Sequence, residues 1–385
     1  MSNYPTYKLG DVAEIILGQS PESKSYNTKG EGLPFFQGKT EFTDWFPIPN
    51  KWCTEPKKIA EPFDVLLSVR APVGPTNIAK EKCCIGRGLA AIRYADCYKY
   101  VLYYLRSVSK YLESKATGTT FSSISGDTIK NLPIPLPPLP TQRAIVTRIE
   151  ALFAELDKAA VHLRTAQQQL KTYRQAVLNH WLNNEEGKWE MVKLGNIADV
   201  NTGSTPKRGN KDYWENGNIP WITSGETNNP YITKATEFIT TKAIAETNCK
   251  IIAKGSLVIA MYGEGKTRGK CAELSIDATT NQALASITFT DSRMYKNFAK
   301  WFFEKNYEDM RMLSSGGVQP NLNLGIIKNM ILPLPPLAEQ QRIVKEIESR
   351  LSQATASETY IENALQQAEA LRQSILKKAF SGELV

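Results

Sequence analysis

The sequence is poor in the residue types on which many catalytic and metal sites depend. It contains two histidines, His162 and His180, and six cysteines, none of which form a CxxC pair. Zinc sites need closely spaced Cys and His ligands, so this chemistry is disfavoured, as is a histidine-based triad. We expect the cysteines to be buried free thiols rather than a disulfide framework.

Long hydrophobic stretches are missing as well. The apolar runs fall far short of the ~20 residues that span a bilayer, and the opening MSNYPTYKLGD lacks the basic and apolar regions of a secretory signal. We therefore expect a cytoplasmic protein without membrane contact. The 385 residues suggest two or three domains. An excess of 47 Lys and Arg over 39 Asp and Glu is compatible with a nucleic-acid partner.

An internal repeat divides the chain into two similar halves. KLGDVAE at 8–14 returns as KLGNIAD at 193–199, and QRAIVTRIE at 142–150 returns as QQRIVKEIE at 340–348. The offset grows from 185 to 198 along the halves and then stays constant. This is typical of a duplicated domain whose second copy has longer loops, followed by a segment that tolerates no insertion. The predicted regions are a globular part at 1–138, a helical part at 139–184, a second globular part at 185–335 and a second helical part at 336–385.

The two length-fixed segments are predicted to be long helices. In the first, apolar residues recur at alternating steps of four and three, and neither Gly nor Pro occurs from Thr141 to Asn184. The second is less regular, with Arg350 and Ser357 interrupting the pattern. Packing one helix antiparallel on the other predicts a coiled-coil rod with a globular domain near each end. The residues assigned to the helix contact are Ile145, Ile149, Leu152, Leu156, Leu163, Leu170, Ile343, Ile347, Ile361, Leu371 and Ile375.

The globular parts have the pattern of α+β domains. Asp64–Val69 and Ser256–Met261 are predicted to be buried strands, whereas Val101–Leu112 and Asn297–Leu313 are predicted to be helices that end near glycines. The predicted fold class is therefore α+β: two pseudo-symmetric α/β globular domains separated by a two-helix antiparallel coiled coil.

Two segments resemble enzyme motifs. AMYGEGKT at 260–267 nearly fits a phosphate-binding loop, but Ala replaces the first Gly, and RGKCAELSID after it predicts loop and strand where a helix is required. NNPY at 228–231 lacks the second proline of a methyltransferase catalytic turn and is interpreted as a turn. We therefore predict no catalytic centre, no metal site and no cofactor site in this chain.

The remaining polar loops correspond pairwise between the halves, although their letters differ. Arg and Lys can fork to guanine, Asn and Gln can pair with adenine, and Ser, Thr and backbone amides bind phosphate. Similar residues in the scaffold combined with different residues in the loops are typical of two domains that read different DNA sequences. The alternative for any one loop is a solvated turn. The candidate DNA contacts are Gln19, Lys24, Gln37, Lys39, Arg70, Arg87, Thr119, Ser204, Lys207, Arg208, Tyr262, Lys266, Arg268 and Gln319.

Taken together, these features resemble the specificity (S) subunit of Type I restriction-modification enzymes. The motifs that carry the resemblance are KLG(D/N)(V/I)A(E/D) in each half, GQSPESKSYN at 18–27, GSTPKRGNKDYWENGNIPWITS at 203–224 and the ending LRQSILKKAFSGELV. The resemblance implies two target recognition domains that read a bipartite double-stranded DNA site, with the helices setting the spacer. It also implies docking of two adenine methyltransferase (M) subunits and of restriction (R) subunits. S-adenosylmethionine, ATP and Mg would belong to those partners, so the chain itself would be non-catalytic.

Two other functions stay open at this point. The first is a coiled-coil scaffold without a DNA role, which predicts no DNA binding even when the methyltransferase is present. The second is a stand-alone nucleotide-binding or methyltransferase enzyme, which predicts that the isolated chain binds a cofactor and that substitution of Lys266 abolishes this.

The spacer hypothesis concerns the distance between the two half-sites. Half-sites that are bound from one face of the DNA lie ~34 Å apart. The spacer hypothesis therefore predicts that a four-residue insertion in one helix alters the spacer and leaves both half-sites unchanged.

Overall fold

The computed structural model describes residues 4–118, 122–183, 187–263, 267–313 and 321–385. The chain divides into two compact units. Unit 1 comprises Met1–Thr165 and Ile361–Val385, and unit 2 comprises Ala166–Tyr360. Two long helices, Leu139–Leu182 and Leu337–Ser381, each contribute to both units. The α+β class and the repeated architecture are confirmed.

A four-stranded antiparallel sheet forms the centre of the globular part of unit 1. Its strands lie in the order Glu14–Leu17, Leu89–Arg93, Val65–Ser68 and Thr76–Ile78. A second sheet has the order Tyr26–Asn27, Trp52–Cys53, Leu33–Phe36, Cys83–Ile85 and Ile59–Ala60. In the second sheet Phe36 lies opposite Ile85 in a parallel pair, whereas the other strand pairs are antiparallel.

Alternate side chains of the strand Val65–Ser68 pack into two different cores. Val65 and Leu67 lie in a core with Tyr100 of the globular helix and Ile149 of the first long helix. Leu66 points to the opposite face and shares a core with second-sheet residues. The central sheet is thus covered on both faces, and this explains why the strand is a continuous apolar run rather than an alternating one.

Unit 2 repeats this plan with one more central strand. The central order is Ala198–Thr202, Leu284–Phe289, Leu257–Ala260, Cys271–Leu274 and Tyr231–Ile232, the last pair being parallel. The second sheet consists of Glu237–Ile239, Ile219–Ile222 and Thr279–Thr280, and its last pair is again parallel. Leu257 and Ile259 face the helical core, and Val258 and Ala260 face the other core.

Each globular part is closed by a strand pair that leads into a long helix. Thr6–Lys8 pairs with Pro133–Pro135 in unit 1, and Glu190–Lys193 pairs with Ile331–Leu334 in unit 2. The strand that opens each globular part therefore pairs with the strand that ends it.

The helix predicted in each globular part is present but is not continuous. Unit 1 has Tyr98–Ser107 followed by Ser109–Ser114, and unit 2 has Lys296–Lys305 followed by Tyr307–Met312. Val108 and Asn306, which are 198 residues apart, interrupt the helices because their ψ angles of 11° and 15° depart from helical values. The shorter helices and 3₁₀ turns are Leu9–Val12, Ser23–Ser25, Lys39–Glu41, Gly126–Lys130, Leu194–Ile197, Lys211–Tyr213, Ser224–Asn228, Thr241–Glu246 and Leu324–Lys328.

The two long helices pack antiparallel within each unit. In unit 1, Ile145 near the start of the first helix shares a core with Leu376 near the end of the second. In unit 2, Leu182 at the end of the first helix shares a core with Ile343 near the start of the second. Other residues predicted at the contact are buried (Ile149, Ile347, Ile361 and Ile375) or half-buried (Leu152, Leu156, Leu163 and Leu170).

The contact face of the second helix differs from the prediction at several positions. Leu371 is 49% exposed, and the side chain of Arg372 lies inward with 23% exposed. Arg350 and Ser357 are exposed and do not interrupt the contact. The inward positions recur regularly and are Ile347, Leu351, Ala354, Glu358, Ile361, Leu365, Ala368, Arg372, Ile375 and Ala379. The prediction used only apolar residues, whereas the observed contact face also includes charged residues whose aliphatic parts are buried and whose charges are paired.

An arginine crosses the helix pair at the same repeat position in each unit. Arg372 donates a hydrogen bond to the carboxylate of Asp157 in unit 1. Arg174, 198 residues earlier, donates to the Thr355 hydroxyl at 2.6 Å and to the Glu358 carboxylate at 2.9 and 3.0 Å in unit 2. Because Asp157 and Thr355 are also 198 residues apart, the duplicated units share this polar contact.

A buried glutamine joins the start of each long helix to its globular part. Gln142 donates to the carbonyl of Pro137 at 2.8 Å and accepts from the Tyr94 hydroxyl at 3.2 Å. Gln340, at the same repeat position, is fully buried and makes three hydrogen bonds to backbone groups. This explains why a glutamine recurs at this position near the start of both helices.

Five of the six cysteines are buried free thiols, as predicted, and Cys97 is a half-buried one. Burial raises the pKa of the Cys83 and Cys84 thiols to about 12. No helix among the residues that the structure describes is long and apolar enough to cross a membrane.

Candidate nucleic-acid interface

Four loop segments meet at one end of the central sheet of unit 1. We call this group the unit 1 loop cluster, and it consists of residues 18–20, 37–38, 69–71 and 86–88. The amide of Gln19 donates to the carbonyl of Ile85 at 3.1 Å, and the amide of Val69 donates to the carbonyl of Gly88 at 2.9 Å. Backbone hydrogen bonds therefore fix the segments relative to one another.

The unit 1 loop cluster brings together four of the predicted contact residues. Gln19, Gln37, Arg70 and Arg87 are all exposed. Ser20 links two of the segments, because its hydroxyl accepts from the Gln37 side chain at 3.4 Å and from the Arg87 amide at 3.3 Å. Four polar side chains of the type that contact bases and phosphates thus share one exposed surface.

The other predicted residues of unit 1 lie beside or outside this cluster. Lys39 begins a 3₁₀ turn two residues after Gln37 and is exposed. Lys24 is exposed and forms an ion pair with Glu22 at 2.9 Å. Thr119 lies outside the described residues.

Unit 2 builds the same arrangement from residues 203–205, 223–225, 261–263 and 281–283, the unit 2 loop cluster. The amide of Ser204 donates to the carbonyl of Thr280 at 2.9 Å, and the amide of Met261 donates to the carbonyl of Ala283 at 2.8 Å. These bonds are the repeat equivalents of the two in unit 1. The pairwise correspondence of loops that the sequence indicated is therefore a correspondence in backbone geometry.

A glycine is required at the same place in both clusters. A Cβ atom on Gly18 would lie 2.2 Å from the carbonyl oxygen of Gly86, and a Cβ on Gly203 would lie 1.8 Å from that of Thr280. Both distances are far below van der Waals contact. Any side chain here would force the first loop away from its neighbours.

The predicted residues of unit 2 are placed less uniformly. Tyr262 is 37% exposed in the cluster, and the carbonyl of Ser204 accepts from the indole of Trp221 at 3.0 Å. Arg268 is half-buried in the turn that precedes the strand Cys271–Leu274. Lys266 and Gln319 lie outside the described residues.

Arg208 is held by its neighbours more firmly than its sequence context suggested. Its guanidinium lies 4.0 Å from the Trp214 ring centroid and 4.7 Å from that of Trp221. Both terminal nitrogens donate to the carboxylate of Glu237, one of them at 3.2 Å. This hydrogen bonding raises the pKa of the Arg208 guanidinium. Lys207, the preceding residue, is exposed.

The segments that resembled enzyme motifs lack the required surroundings. The strand Leu257–Ala260 is followed, after the undescribed residues 264–266, by a turn and the strand Cys271–Leu274 rather than by a helix. Asn228–Tyr231 runs from the last residue of a 3₁₀ turn to the first residue of a short strand, in agreement with the predicted turn. In the part of the chain that the structure describes, no group of three His, Cys, Asp or Glu residues could hold a metal ion.

Comparison with known proteins identifies the family. The family model described as "Type I restriction modification DNA specificity domain" matches residues 1–161 and 186–367. The chain belongs to this family. It is thus a Type I restriction-modification specificity subunit, a class that provides DNA sequence specificity, and the resemblance noted from the sequence is confirmed.

Individual relatives agree with this membership. The chain is 41% identical over 170 residues to the putative type I restriction enzyme MjaX specificity subunit of Methanocaldococcus jannaschii, covering 43% of this chain and 39% of that protein. It is 24% identical over 414 aligned positions to the EcoBI specificity subunit of Escherichia coli, covering 98% of this chain and 85% of that protein.

Solved structures share the fold of this specificity subunit. One comes from a study of the "Structural basis underlying complex assembly and conformational transition of the type I R-M system"; it matches with a TM-score of 0.81 at 19% identity and covers 99% of this chain and 98% of that one. The HsdS subunit from Thermoanaerobacter tengcongensis matches with a TM-score of 0.57 at 19% identity, covering 99% and 97%.

Sequence reasoning did not single out three polar residues of the candidate interface, although two of them lie in loops that it assigned to DNA contact. Ser20 links two segments of the unit 1 loop cluster through its hydroxyl. Gln282 occupies the repeat position of Arg87, and its backbone carbonyl accepts a hydrogen bond from the Thr202 hydroxyl at 3.2 Å. Both lie in loop segments that correspond between the halves, so alignment of the halves could have found them. Glu237 carries no such signal, because its role depends on strand pairing that places it beside Arg208.

Proposed function

We propose that each loop cluster of this specificity subunit reads one half of a bipartite double-stranded DNA site. The observation that supports this is the occurrence of one backbone arrangement twice with different side chains. Gln19, Gln37, Arg70 and Arg87 in unit 1 correspond to Ser204, Thr223, Tyr262 and Gln282 in unit 2. A common scaffold with changed donors and acceptors is what two readers of different sequences require.

The long helices, in this proposal, set the length of the unread spacer between the half-sites. They are uninterrupted over 44 and 45 residues and pack antiparallel in both units. Buried apolar residues and the arginine contacts fix the pairing at both ends. A length-fixed element of this kind is suited to hold two readers at one separation.

Catalysis is assigned to other subunits. Relatives are named specificity subunits of type I restriction enzymes, and the solved structure that matches with a TM-score of 0.81 comes from work on complex assembly of a type I system. We propose that this chain docks two adenine methyltransferase subunits and, where present, restriction subunits. S-adenosylmethionine, ATP and Mg would be bound by those partners, and this chain would contribute no reacting group.

The spacer proposal is tested by lengthening both helices together. Seven residues inserted after Thr165 and after Tyr360 keep the inward face in phase and add about 10 Å at ~1.5 Å per residue. We expect methylated sites whose spacer is longer by about three base pairs, with both half-site sequences unchanged. Modified adenines are mapped by long-read sequencing of cells that express the variant with its methyltransferase. An unchanged spacer, or altered half-sites, would contradict the proposal.

The assignment to DNA recognition is tested with the gene deleted. Deletion should remove adenine methylation at one bipartite motif, and re-expression should restore it. A coiled-coil scaffold would leave the methylation pattern intact. A stand-alone enzyme would show S-adenosylmethionine or nucleotide binding by the purified chain alone in calorimetry.

A further inference from the structure

Beneath the first loop of each cluster lies a pair of aromatic rings. Tyr26 stacks on Phe35 in unit 1 with ring centroids 4.6 Å apart, and Trp214 meets Trp221 edge-on at 5.1 Å in unit 2. Phe35 and Trp221 occupy the same repeat position, and each is 1% exposed. In unit 2 the pair carries a cation, because the Arg208 guanidinium lies over both indoles.

The loop that holds Arg208 is itself constrained. The carbonyl of Lys207 accepts from the Asn210 amide at 3.0 Å and from the Trp214 indole at 3.3 Å. Two indole faces and the Glu237 carboxylate then fix the plane of the guanidinium. An arginine held in this way loses little side-chain entropy when it binds a ligand, whereas a free lysine or arginine loses more.

The remaining donors of Arg208 are open to a ligand. A guanidinium has five N–H groups, and hydrogen bonds to Glu237 use two of them. The Arg208 side chain is 54% exposed, so an edge stays accessible. Its positive charge, however, is already balanced by Glu237, which weakens its attraction to a phosphate. Guanine offers the neutral acceptors O6 and N7, and hydrogen bonds to them depend more on the orientation of the donors than on the net charge of the arginine.

We propose that Arg208 reads a base edge, that of a guanine, in the half-site bound by unit 2, and that Glu237 positions it. Lys207 is the contrasting case. It is exposed, and among the described residues no carboxylate lies within 4.0 Å of its ammonium group. Lys207 therefore has the properties of a phosphate contact. The assignment rests on the proposed DNA-reading function. It adds that Arg208 specifies a base, whereas Lys207 only attracts the phosphate backbone.

The experiment uses the full chain co-expressed with its methyltransferase subunit. A duplex library with a randomised central region yields the selected site, and duplexes with single base-pair changes in that site are then titrated at several salt concentrations. The variants are R208K, R208A, E237Q and K207A. R208K keeps the charge but loses the fork, so it separates base reading from phosphate attraction.

R208A and R208K are both expected to lose about 5- to 150-fold discrimination at one G·C pair of one half-site, the range of a bidentate base contact. The other half-site should be read as before. E237Q should lose discrimination at the same pair while binding all duplexes more tightly, with a steeper salt dependence. K207A should weaken binding equally for all duplexes and reduce the slope of log K against log salt by about 0.9.

Two results would overturn the inference and are distinguishable from failure of the proposed function. R208K with wild-type discrimination, or R208A with uniform weakening and a reduced salt slope, makes Arg208 a phosphate contact. A wild-type complex that selects no sequence from the library refutes both the proposed function and this inference. A melting temperature of R208K equal to that of the wild type verifies that the variant is folded and that any loss of discrimination comes from the lost contact.

Discussion

Replacing Gln340 with leucine should destabilise unit 2 far more than the same change at Gln142 destabilises unit 1. The Gln340 side chain donates to the carbonyls of Pro335 at 2.7 Å and Arg293 at 2.8 Å, and it accepts from the Tyr295 amide at 2.7 Å. Leucine fills a similar volume but satisfies none of these groups. Three backbone groups at a fully buried site would lose their partner.

A buried polar group without a partner costs about 1–3 kcal/mol, so Q340L should lower the free energy of unfolding by about 3–6 kcal/mol after local relaxation. Q142L removes the partner of one carbonyl, that of Pro137, and of the Tyr94 hydroxyl, which is half-buried and can turn to water. Its cost should be about 1–3 kcal/mol.

Differential scanning calorimetry and urea unfolding of the full chain measure both effects. For a unit of this size about 2–4 °C is lost per kcal/mol, which predicts a decrease in Tm of roughly 6–24 °C for the unit 2 transition in Q340L. A loss below about 1 kcal/mol in Q340L, or equal losses in the two variants, would refute the view that the hydrogen bonds of Gln340 join helix and globular part.

Two further predictions concern single positions. G203A should cost about 1–3 kcal/mol by overpacking and abolish reading of one half-site, whereas G209A, with open space around its Cα, should do neither in the same melting and binding assays. Because Leu371 is 49% exposed and Ile375 is 8% exposed, L371A should change unfolding by less than about 1 kcal/mol and I375A by about 2–4 kcal/mol, and similar losses would contradict the observed helix contact.

The architecture could be predicted because the chain contains a duplication, and comparison of its two halves shows which segments keep their length and pattern. A constant offset of 198 marks the helices that tolerate no insertion, and apolar runs such as VLLS mark strands covered on both faces. The repeat also aligns the two loop clusters, since Gly18 and Gly203 occupy one position with one steric requirement.

What the sequence could not provide depends on contacts between distant residues. The pairing of Arg208 with Glu237 spans 29 residues and follows from strand register. The misplacement of Leu371 has a different cause. Of two neighbouring residues, an apolar pattern assigns the leucine rather than the arginine to a helix contact. Arg372 nevertheless takes the inward position because it donates a hydrogen bond to Asp157.

Division of the chain into one interrupted and one continuous unit has a consequence for synthesis on the ribosome. Unit 2 is a single stretch, Ala166–Tyr360, and has all its parts once Tyr360 has emerged. Unit 1 is translated first but needs Ile361–Val385, whose Ile375, Leu376 and Phe380 fill its core. The domain made earlier is therefore completed later, and until then the apolar face of its helix around Ile145 is left without the segment of chain that covers it.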